Sequence, residues 1–255
     1  MRKSVRRRRP ARPHRTGRIG LAAVAAVLLG IVLFFFAAGR MHAHFEAQRA
    51  ANAQPEGIRT VIIDPGHGGA DGGAVGVNGT IEKDINLAIS LKLRDMLVLQ
   101  GYEVLMTRET DVMTCDEGLE GITKQKKSDM HNRLKLINEH PEAVVLSIHQ
   151  NLFEQEKYHG AQMFYGKNNP FSKELAQTLQ KTFVKNLQPE NLREIKKGEK
   201  DLYLLWQSES PIVLVECGFL SNGEECAKLL EDEYQGKVAF TIMEGLMTAL
   251  TAETP

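Results

Sequence analysis

The chain has 255 residues, with 32 basic and 32 acidic side chains, and this length allows one large domain or two small ones. The charge is unevenly distributed, because residues 1–18 contain nine Lys/Arg and no acidic residue, which leaves 23 basic against 32 acidic residues in the remainder. A body with this negative balance lacks the clustered cations that bind a phosphate backbone, so composition argues against a nucleic-acid-binding domain.

An apolar segment follows the basic N-terminus. Residues 19–38 carry no charged side chain and include Phe34, Phe35 and Phe36. Twenty helical residues extend about 30 Å, enough for a hydrocarbon core, and the preceding cations favour a cytoplasmic N-terminus. We therefore expect a basic cytoplasmic segment at 1–18 and a transmembrane signal-anchor at 19–38. A cleaved signal peptide is the alternative, because residues 37–39 offer a small-residue cleavage site.

Residues 39–59 are polar and alanine-rich and are broken by Pro55 and Gly57, so we interpret them as a stalk. The three cysteines, Cys115, Cys217 and Cys226, cannot all pair within the chain, and a disulfide framework is not expected in a domain of this size. A bond between Cys217 and Cys226 is left open.

From residue 60 onwards, short β-branched runs alternate with helical apolar spacing. We predict strands at 60–64, 103–107, 143–148, 160–165 and 212–215, and helices at 84–100, 129–139, 172–186 and 236–250. Residues 108–127 are predicted to be a charged loop, which either covers a site or is simply solvated. This alternation is typical of a single α/β domain with a largely parallel sheet, which we place at 60–252.

Polar side chains are concentrated where the predicted strands end. The first strand leads into Asp64 and His67, the third into His149, and the late strand into Glu216, while Glu82 precedes the first helix. Open α/β sheets place their sites at these carboxyl ends. Two histidines and a carboxylate form a set that suits catalytic zinc with one position open, and they leave Glu216 to act as a base.

Each of these residues also has a structural explanation. A histidine at a strand end is more often structural than a ligand, and Glu82 could be a helix-start carboxylate favoured by the helix dipole. Glu216 is harder to explain in this way, because an unpaired carboxylate after the apolar run 212–215 is expensive to bury. On spacing alone, a metal site and a set of structural residues both remain open.

Four segments resemble, in order, the motifs of the zinc N-acetylmuramoyl-L-alanine amidases of the type 3 family: VIIDPGHGG at 61–69, EKDINL at 82–87, SIHQN at 147–151 and VECGFLSN at 215–222. The resemblance covers 60–250. It implies a single α/β domain around a mixed, mostly parallel sheet. It also implies hydrolysis of the amide between the lactyl group of N-acetylmuramic acid and L-alanine of the peptidoglycan stem peptide. By the same resemblance, His67, Glu82 and His149 would hold one Zn²⁺ and Glu216 would be the catalytic carboxylate.

Further residues are candidates for supporting roles. Asp64 and Asn151 are candidates for orienting the ligands, and Arg133 is a candidate for binding a substrate carboxylate. Gln150 stands where the family usually has a small or apolar residue, and we expect it to alter the rim of the site. Cys217 follows the catalytic carboxylate, but neighbouring residues of a strand point to opposite faces, so we expect no ligand there.

Residues 73–76, 82–90, 106–109 and 133–138 also resemble the germination-specific spore-cortex amidases (CwlD type) of endospore-forming bacteria. In that subfamily the implied task is to strip stem peptides from selected muramic residues before muramic-δ-lactam forms in the cortex. A vegetative cell-wall amidase acting in autolysis or cell separation, a catalytically silent regulatory protein on the same scaffold, and a zinc peptidase cutting elsewhere in the stem peptide are alternatives.

The expected partners are peptidoglycan, the membrane through the N-terminal segment, and an activating protein, with no nucleic acid. The expected location is the outer side of the cytoplasmic membrane, in the cell wall or the intermembrane space of the forespore. Secretion is expected instead if the N-terminal segment is cleaved.

Overall fold

The computed structural model describes residues 28–31, 33–36, 39–41 and 58–252. The chain divides into two units, Met1–Ala53 and Gln54–Pro255, and the described residues of the first are helical. The expected basic segment 1–18 and most of the expected span 19–38 and stalk 39–59 lie outside the described residues. Among the helices that are described, none is both long and apolar enough to cross a bilayer.

The second unit is built on a six-stranded sheet with the order β2-β1-β3-β6-β4-β5. Its strands are β1 (Thr60–Pro65), β2 (Glu103–Met106), β3 (Val144–Asn151), β4 (Gln162–Tyr165), β5 (Lys196–Lys197) and β6 (Ile212–Phe219). The β1–β2, β1–β3, β3–β6 and β4–β5 pairs are parallel, and the β4–β6 pair is antiparallel. The α/β fold with a mixed, mostly parallel sheet is therefore confirmed.

Six α-helices of residues 58–252 lie on the two faces of this sheet: α1 (Glu82–Leu99), α2 (Ile122–Asn138), α3 (Phe171–Asn186), α4 (Tyr203–Gln207), α5 (Gly223–Leu230) and α6 (Asp232–Ala252). The larger core cluster joins α1, α3, α5 and α6 to side chains such as Ile63 and Val215. The smaller cluster joins α2 and α4 to side chains such as Ile62 and Leu214. We call these two sides the α1 face and the α2 face.

Strand alternation decides which side chains reach the site. Residues separated by two along a strand share a face, so His149 lies on the α2 face with Val145, and Glu216 lies there with Leu214. Both are paired directly across the parallel β3–β6 ladder. The carboxyl ends of the two central strands thus present an imidazole and a carboxylate side by side.

Several element bounds differ from the expectation. Helix α2 begins at Ile122 rather than 129, because its first turns carry mostly exposed polar side chains that give no apolar spacing; the loop is 108–121. Strands β3 and β6 continue to Asn151 and Phe219, past the polar residues at which the apolar runs stop. All three cysteines are free thiols, so no Cys217–Cys226 bond is present.

Candidate metal centre

The loop that follows β1 makes a sharp turn and carries His67. The φ angle of His67 is positive, at 61°, and this conformation costs a non-glycine residue about 1–3 kcal/mol. The turn is closed by two backbone hydrogen bonds between Gly68 and Asp71, at 2.9 and 3.0 Å. The surrounding structure therefore holds His67 in a strained conformation that points its ring towards the end of β3.

Three side chains meet at this point. His67, Glu82 and His149 each offer one ligand atom, and these atoms all lie within 4.8 Å of one another. Nε2 of His67 lies 3.2 Å from Oε2 of Glu82, and Nδ1 of His149 lies 3.0 Å from Oε1 of Glu82. The structure thus brings together the two histidines and the carboxylate that the sequence singles out, on a loop, a helix start and a strand end.

Glu82 is buried and heavily hydrogen-bonded. It is the first residue of α1 and is only 3 % exposed. The backbone amide of Ala74 donates to Oε2 at 2.8 Å, while the amide of Gln150 and Nδ2 of Asn86 donate to Oε1 at 3.1 and 3.2 Å. Burial raises its pKa, but the hydrogen bonds and charges of His149 and His67 outweigh burial and lower it well below the usual range. Glu82 is therefore an ionised, fixed carboxylate.

Asp71 orients His67 from the other side. Its Oδ2 lies 2.9 Å from Nδ1 of His67, and its Oδ1 pairs with Nζ of Lys126 at 2.8 Å. Burial lowers the pKa of His67, but the hydrogen bonds to Asp71 and Glu82 outweigh it and raise the pKa to about 9. Sequence reasoning missed Asp71, although an aspartate four residues after the histidine of a glycine-rich loop was a usable signal.

Glu216 stands beside this cluster with one oxygen unpartnered. It is paired with His149 in the β3–β6 register, and its Oε2 is a buried atom without a hydrogen-bond partner among the described residues. Burial raises its pKa to about 7. The carboxylate faces a cavity of about 330 Å³ that also contacts His67, His149 and Tyr203. A group with this pKa can take up and return a proton near neutral pH.

Similarity to known proteins is extensive. The family model described as N-acetylmuramoyl-L-alanine amidase matches residues 61–248. The chain belongs to the N-acetylmuramoyl-L-alanine amidase family. The protein is accordingly an amidase that hydrolyses the bond between N-acetylmuramic acid and L-alanine.

The relatives of the amidase include a germination-specific protein. A germination-specific N-acetylmuramoyl-L-alanine amidase of Bacillus subtilis is 35 % identical over 224 residues, covering 88 % of this chain and 93 % of the relative. The CwlD amidase of Clostridioides difficile, solved in complex with the GerS lipoprotein, is 41 % identical with a TM-score of 0.73 and covers 76 % of this chain and 100 % of that one. An N-acetylmuramoyl-L-alanine amidase from Clostridium difficile 630 is 31 % identical with a TM-score of 0.66, over 78 % and 100 % of the two chains.

A buried ion-pair network supports the amidase loop that carries His67. Arg133 on α2 is 2 % exposed and donates to Asp64 at 2.6 Å, to Asp129 at 2.9 Å and to the carbonyl of His67 at 2.7 Å. Burial raises the pKa of Asp64, but the charge of Arg133 and the hydrogen bonds of Ser147 and Thr107 outweigh it and lower the pKa to about 2. Arg133, expected to bind a substrate carboxylate, is thus already engaged by two carboxylates of the chain.

Asp64 and Asn151 are the residues expected to orient the ligands, but neither makes a hydrogen bond to a ligand side chain within residues 58–252. Asp64 accepts hydrogen bonds from the side chains of Thr107, Arg133 and Ser147. It therefore acts on His67 through Arg133, which donates to the carbonyl of His67. Asn151 ends β3 and lines a separate cavity. Within residues 58–252, its side chain has no hydrogen bond to the three clustered residues.

The two unusual positions of the amidase lie away from the rim. Gln150 is 3 % exposed and its Nε2 donates to Oδ1 of Asn86 at 3.2 Å. The expectation that Gln150 alters the rim is therefore wrong, because strand alternation turns it towards the α1 face. Cys217 is fully buried in the larger core cluster on that same face, opposite to Glu216.

The charged loop 108–121 is tied to the loop that carries His67. Arg108 is 3 % exposed and donates to the carbonyls of Pro65, Gly66 and Lys83, while Asp111 accepts from the amide of Gly69 at 2.7 Å. None of residues 108–121 lines the cavity beside Glu216, but Lys126, which belongs to the expected loop 108–127 and lies in the first turns of α2, does line it. The loop 108–121 therefore holds the loop that carries His67, and the start of α2 contributes a cation to the cavity wall.

Proposed function

We propose that the amidase is zinc-dependent and that His67, Glu82 and His149 hold a single Zn²⁺ ion. The observation that carries this proposal is the convergence of their three ligand atoms within 4.8 Å around a buried carboxylate. Two imidazoles and one carboxylate are a donor set that catalytic zinc sites use, with a position left open. Glu82 is kept ionised and Asp71 fixes the ring of His67, and binding of the ion would displace the proton that the raised pKa of His67 retains.

Glu216 is the proposed general base and acid. Zinc bound at this site would supply a Lewis acid that polarises the amide carbonyl and favours ionisation of water. The unpartnered Oε2 of Glu216 would accept the proton of the attacking water. The same oxygen would then return it to the nitrogen of the departing L-alanine. Transfer by a positioned carboxylate is typically worth about 10²–10⁴-fold in rate.

A direct test is digestion of peptidoglycan by the purified protein, with new L-alanine amino termini as the readout. We expect release that a chelator abolishes, that added zinc restores, and that Glu216→Gln loses. Full activity in Glu216→Gln would contradict the assignment of the base. Mass spectrometry of the fragments distinguishes the amidase from a zinc peptidase, since a peptidase leaves L-alanine attached to muramic acid.

The proposed setting is the spore cortex, outside the cytoplasmic membrane. It rests on the germination-specific relative and on the CwlD structure, whose partner is a lipoprotein; we accordingly propose an activating protein partner for this chain. The cortex of a sporulating strain that lacks the protein should contain less muramic-δ-lactam. Normal lactam with defective separation of vegetative cells would favour the vegetative role.

For the N-terminal region we propose a cytoplasmic segment 1–18, a membrane anchor 19–38 and a stalk 39–59, followed by the catalytic domain 60–252. The basic run before twenty apolar residues supports it. The test is the mass of the protein recovered from the membrane fraction and from the medium. We expect the full-length mass in the membrane fraction. A protein that has lost about its first 38 residues would establish a cleaved signal peptide instead.

A further inference from the structure

A second cavity of about 290 Å³ lies on the α2 face of the sheet. Gln162 and Phe164 of β4 contribute to its wall, and they are paired across the antiparallel ladder with Glu216 and Leu214. Side chains that are paired across a ladder project to the same face, with Cβ atoms about 4.5–5.5 Å apart. The second cavity therefore adjoins Glu216 on the side of β4.

The wall of this cavity is aromatic. Phe153 and Tyr158 pack edge to face with ring centroids 5.0 Å apart, and Tyr158 lies 6.5 Å from Phe219. The guanidinium of Arg193 lies 4.4 Å from the ring centroid of Phe219 and 5.8 Å from that of Tyr158. Stacking on two rings fixes the plane of a guanidinium and so prepares it to bind a planar anion.

Arg193 is a cation without a direct counter-ion. Nε donates to the carbonyl of His159 at 3.0 Å and Nη1 donates to Oε1 of Gln162 at 2.8 Å. Nη2 has no hydrogen-bond partner in the part of the chain that is described. Arg193 also forms no salt bridge there, since the nearby Glu225 accepts the backbone amides of Gly160 and Phe219 instead. Lys196 adds a second positive charge to the wall of the same cavity.

The bond to Gln162 links this cation to the reaction centre. Gln162 is the direct cross-strand neighbour of Glu216, so the guanidinium lies one side chain beyond the proposed base. An extended peptide advances about 3.3–3.6 Å per residue. A ligand whose scissile amide lies at Glu216 would therefore place its next one or two residues at Arg193.

We propose that this cavity is a substrate subsite in which Arg193 binds a free carboxylate of the stem peptide, on the residue that follows the L-alanine at the cleaved bond. This inference rests on the amidase function and names the part of the substrate that the protein distinguishes. A planar carboxylate matches the guanidinium, and the ring of Phe219 lies against the guanidinium and fixes its plane. Neutralisation of that carboxylate by amidation removes the charged acceptor.

Calorimetric titration of full-length Glu216→Gln protein tests the subsite without turnover. The two ligands are N-acetylmuramoyl-L-alanyl-D-glutamate, with a free α-carboxylate, and the same molecule with D-isoglutamine, in which this group is an amide. We expect the carboxylate form to bind about tenfold more tightly, as a charge-assisted hydrogen bond provides. Adding Arg193→Gln should remove the difference and leave binding of the amide form unchanged.

Two further variants serve as controls. Arg193→Lys should keep part of the preference, because the charge remains but the planar fork is lost. Arg94→Gln removes an arginine that pairs with Asp95 and Glu109 outside both cavities and should keep the whole preference. Equal affinity for the two ligands, equal weakening of both by Arg193→Gln, or no binding of either at millimolar concentration would overturn the subsite. Cleavage of the ligand by the Glu216→Gln protein during the titration would contradict the assignment of Glu216 as the base, but not the subsite.

Discussion

A Cβ atom on Gly66 would overlap the imidazole of His149, whose ring atoms are its three nearest neighbours. Gly73 stands in the same relation to the other two residues, since a Cβ there would lie 2.5 Å from Oε2 of Glu82 and 2.6 Å from Cδ2 of His67. The absence of side chains at Gly66 and Gly73 therefore provides the space in which the two imidazoles and the carboxylate converge.

The first prediction concerns Gly66→Ala. The new methyl group must displace His149, so we expect zinc content and amidase activity to fall at least tenfold, with the fold retained. The measurement is metal stoichiometry together with activity on peptidoglycan. Gly223→Ala is the matched control, because a Cβ at Gly223 meets nothing within 4 Å. An active, zinc-loaded Gly66→Ala protein would show that His149 is not a ligand.

The second prediction separates catalysis from stability at Glu216. Its folded pKa of about 7 is raised from 4.5, so ionisation is unfavourable in the folded state. Ionisation of Glu216 therefore lowers the free energy of unfolding. This loss of stability is absent below pH 4.5, grows between pH 4.5 and 7, and is complete above pH 7, at about 3 kcal/mol. In the presence of a chelator, Glu216→Gln should therefore be more stable than the wild type at pH 8 and equally stable at pH 4.

Urea unfolding at the two pH values measures this difference. The same variant should bind zinc normally but lose about 10²–10⁴-fold in activity. A variant that is less stable at pH 8 would mean that the carboxylate is solvated or paired in the folded protein.

The third prediction concerns Asp71. Replacement by asparagine removes the charge that fixes the ring of His67, and loss of such a partner typically weakens metal binding about 10–100-fold. Competition with a chromogenic zinc chelator gives the affinity. Asp232→Asn, at an exposed residue paired with Lys92, should change nothing. An unaltered zinc affinity in Asp71→Asn would show that the charge of Asp71 is not needed to orient the imidazole of His67.

The fourth prediction concerns the buried pair of Asp64 and Arg133. The folded pKa of Asp64 is lowered from 3.8 to about 2. Its contribution of about 2 kcal/mol is therefore fully present above pH 3.8 and is lost as the pH falls towards 2. Asp64→Ala leaves Arg133 short of one counter-charge and should destabilise the protein by about 3–5 kcal/mol at pH 7.

Urea unfolding of the zinc-free protein is the measurement. The difference between Asp64→Ala and the wild type should shrink below pH 3. A pH-independent difference would indicate that packing, rather than charge, determines the effect.

The sequence predicts the buried strands well, because continuous apolar runs such as 143–148 and 212–215 have few alternatives in a globular domain. Other elements carry no comparable signal. Strand β5 has two exposed lysines, and the first turns of α2 are mostly polar. The antiparallel direction of β4 is a property of the chain path after β3, and no local pattern records it.

At the site, the residues His67, Glu82, His149 and Glu216 come from the sequence, and the structure places them in one cluster. Asp71 and Gln150 show what spacing cannot provide. The role of Asp71 depends on a tight turn that brings its carboxylate back to the ring of His67, four residues earlier in the chain. The position of Gln150 depends on β3 continuing beyond its apolar run. Both are consequences of backbone geometry that composition does not determine.

The β3–β6 ladder joins two parts of the chain that carry different parts of the proposed chemistry. The three proposed ligands are supplied by residues 67–149, whereas Glu216 belongs to the last central strand and is paired with His149. A one-residue slip in this pairing would turn Glu216 to the opposite face of the sheet. The register of a single strand pair therefore decides whether the proposed ion-binding set has a proton acceptor beside it.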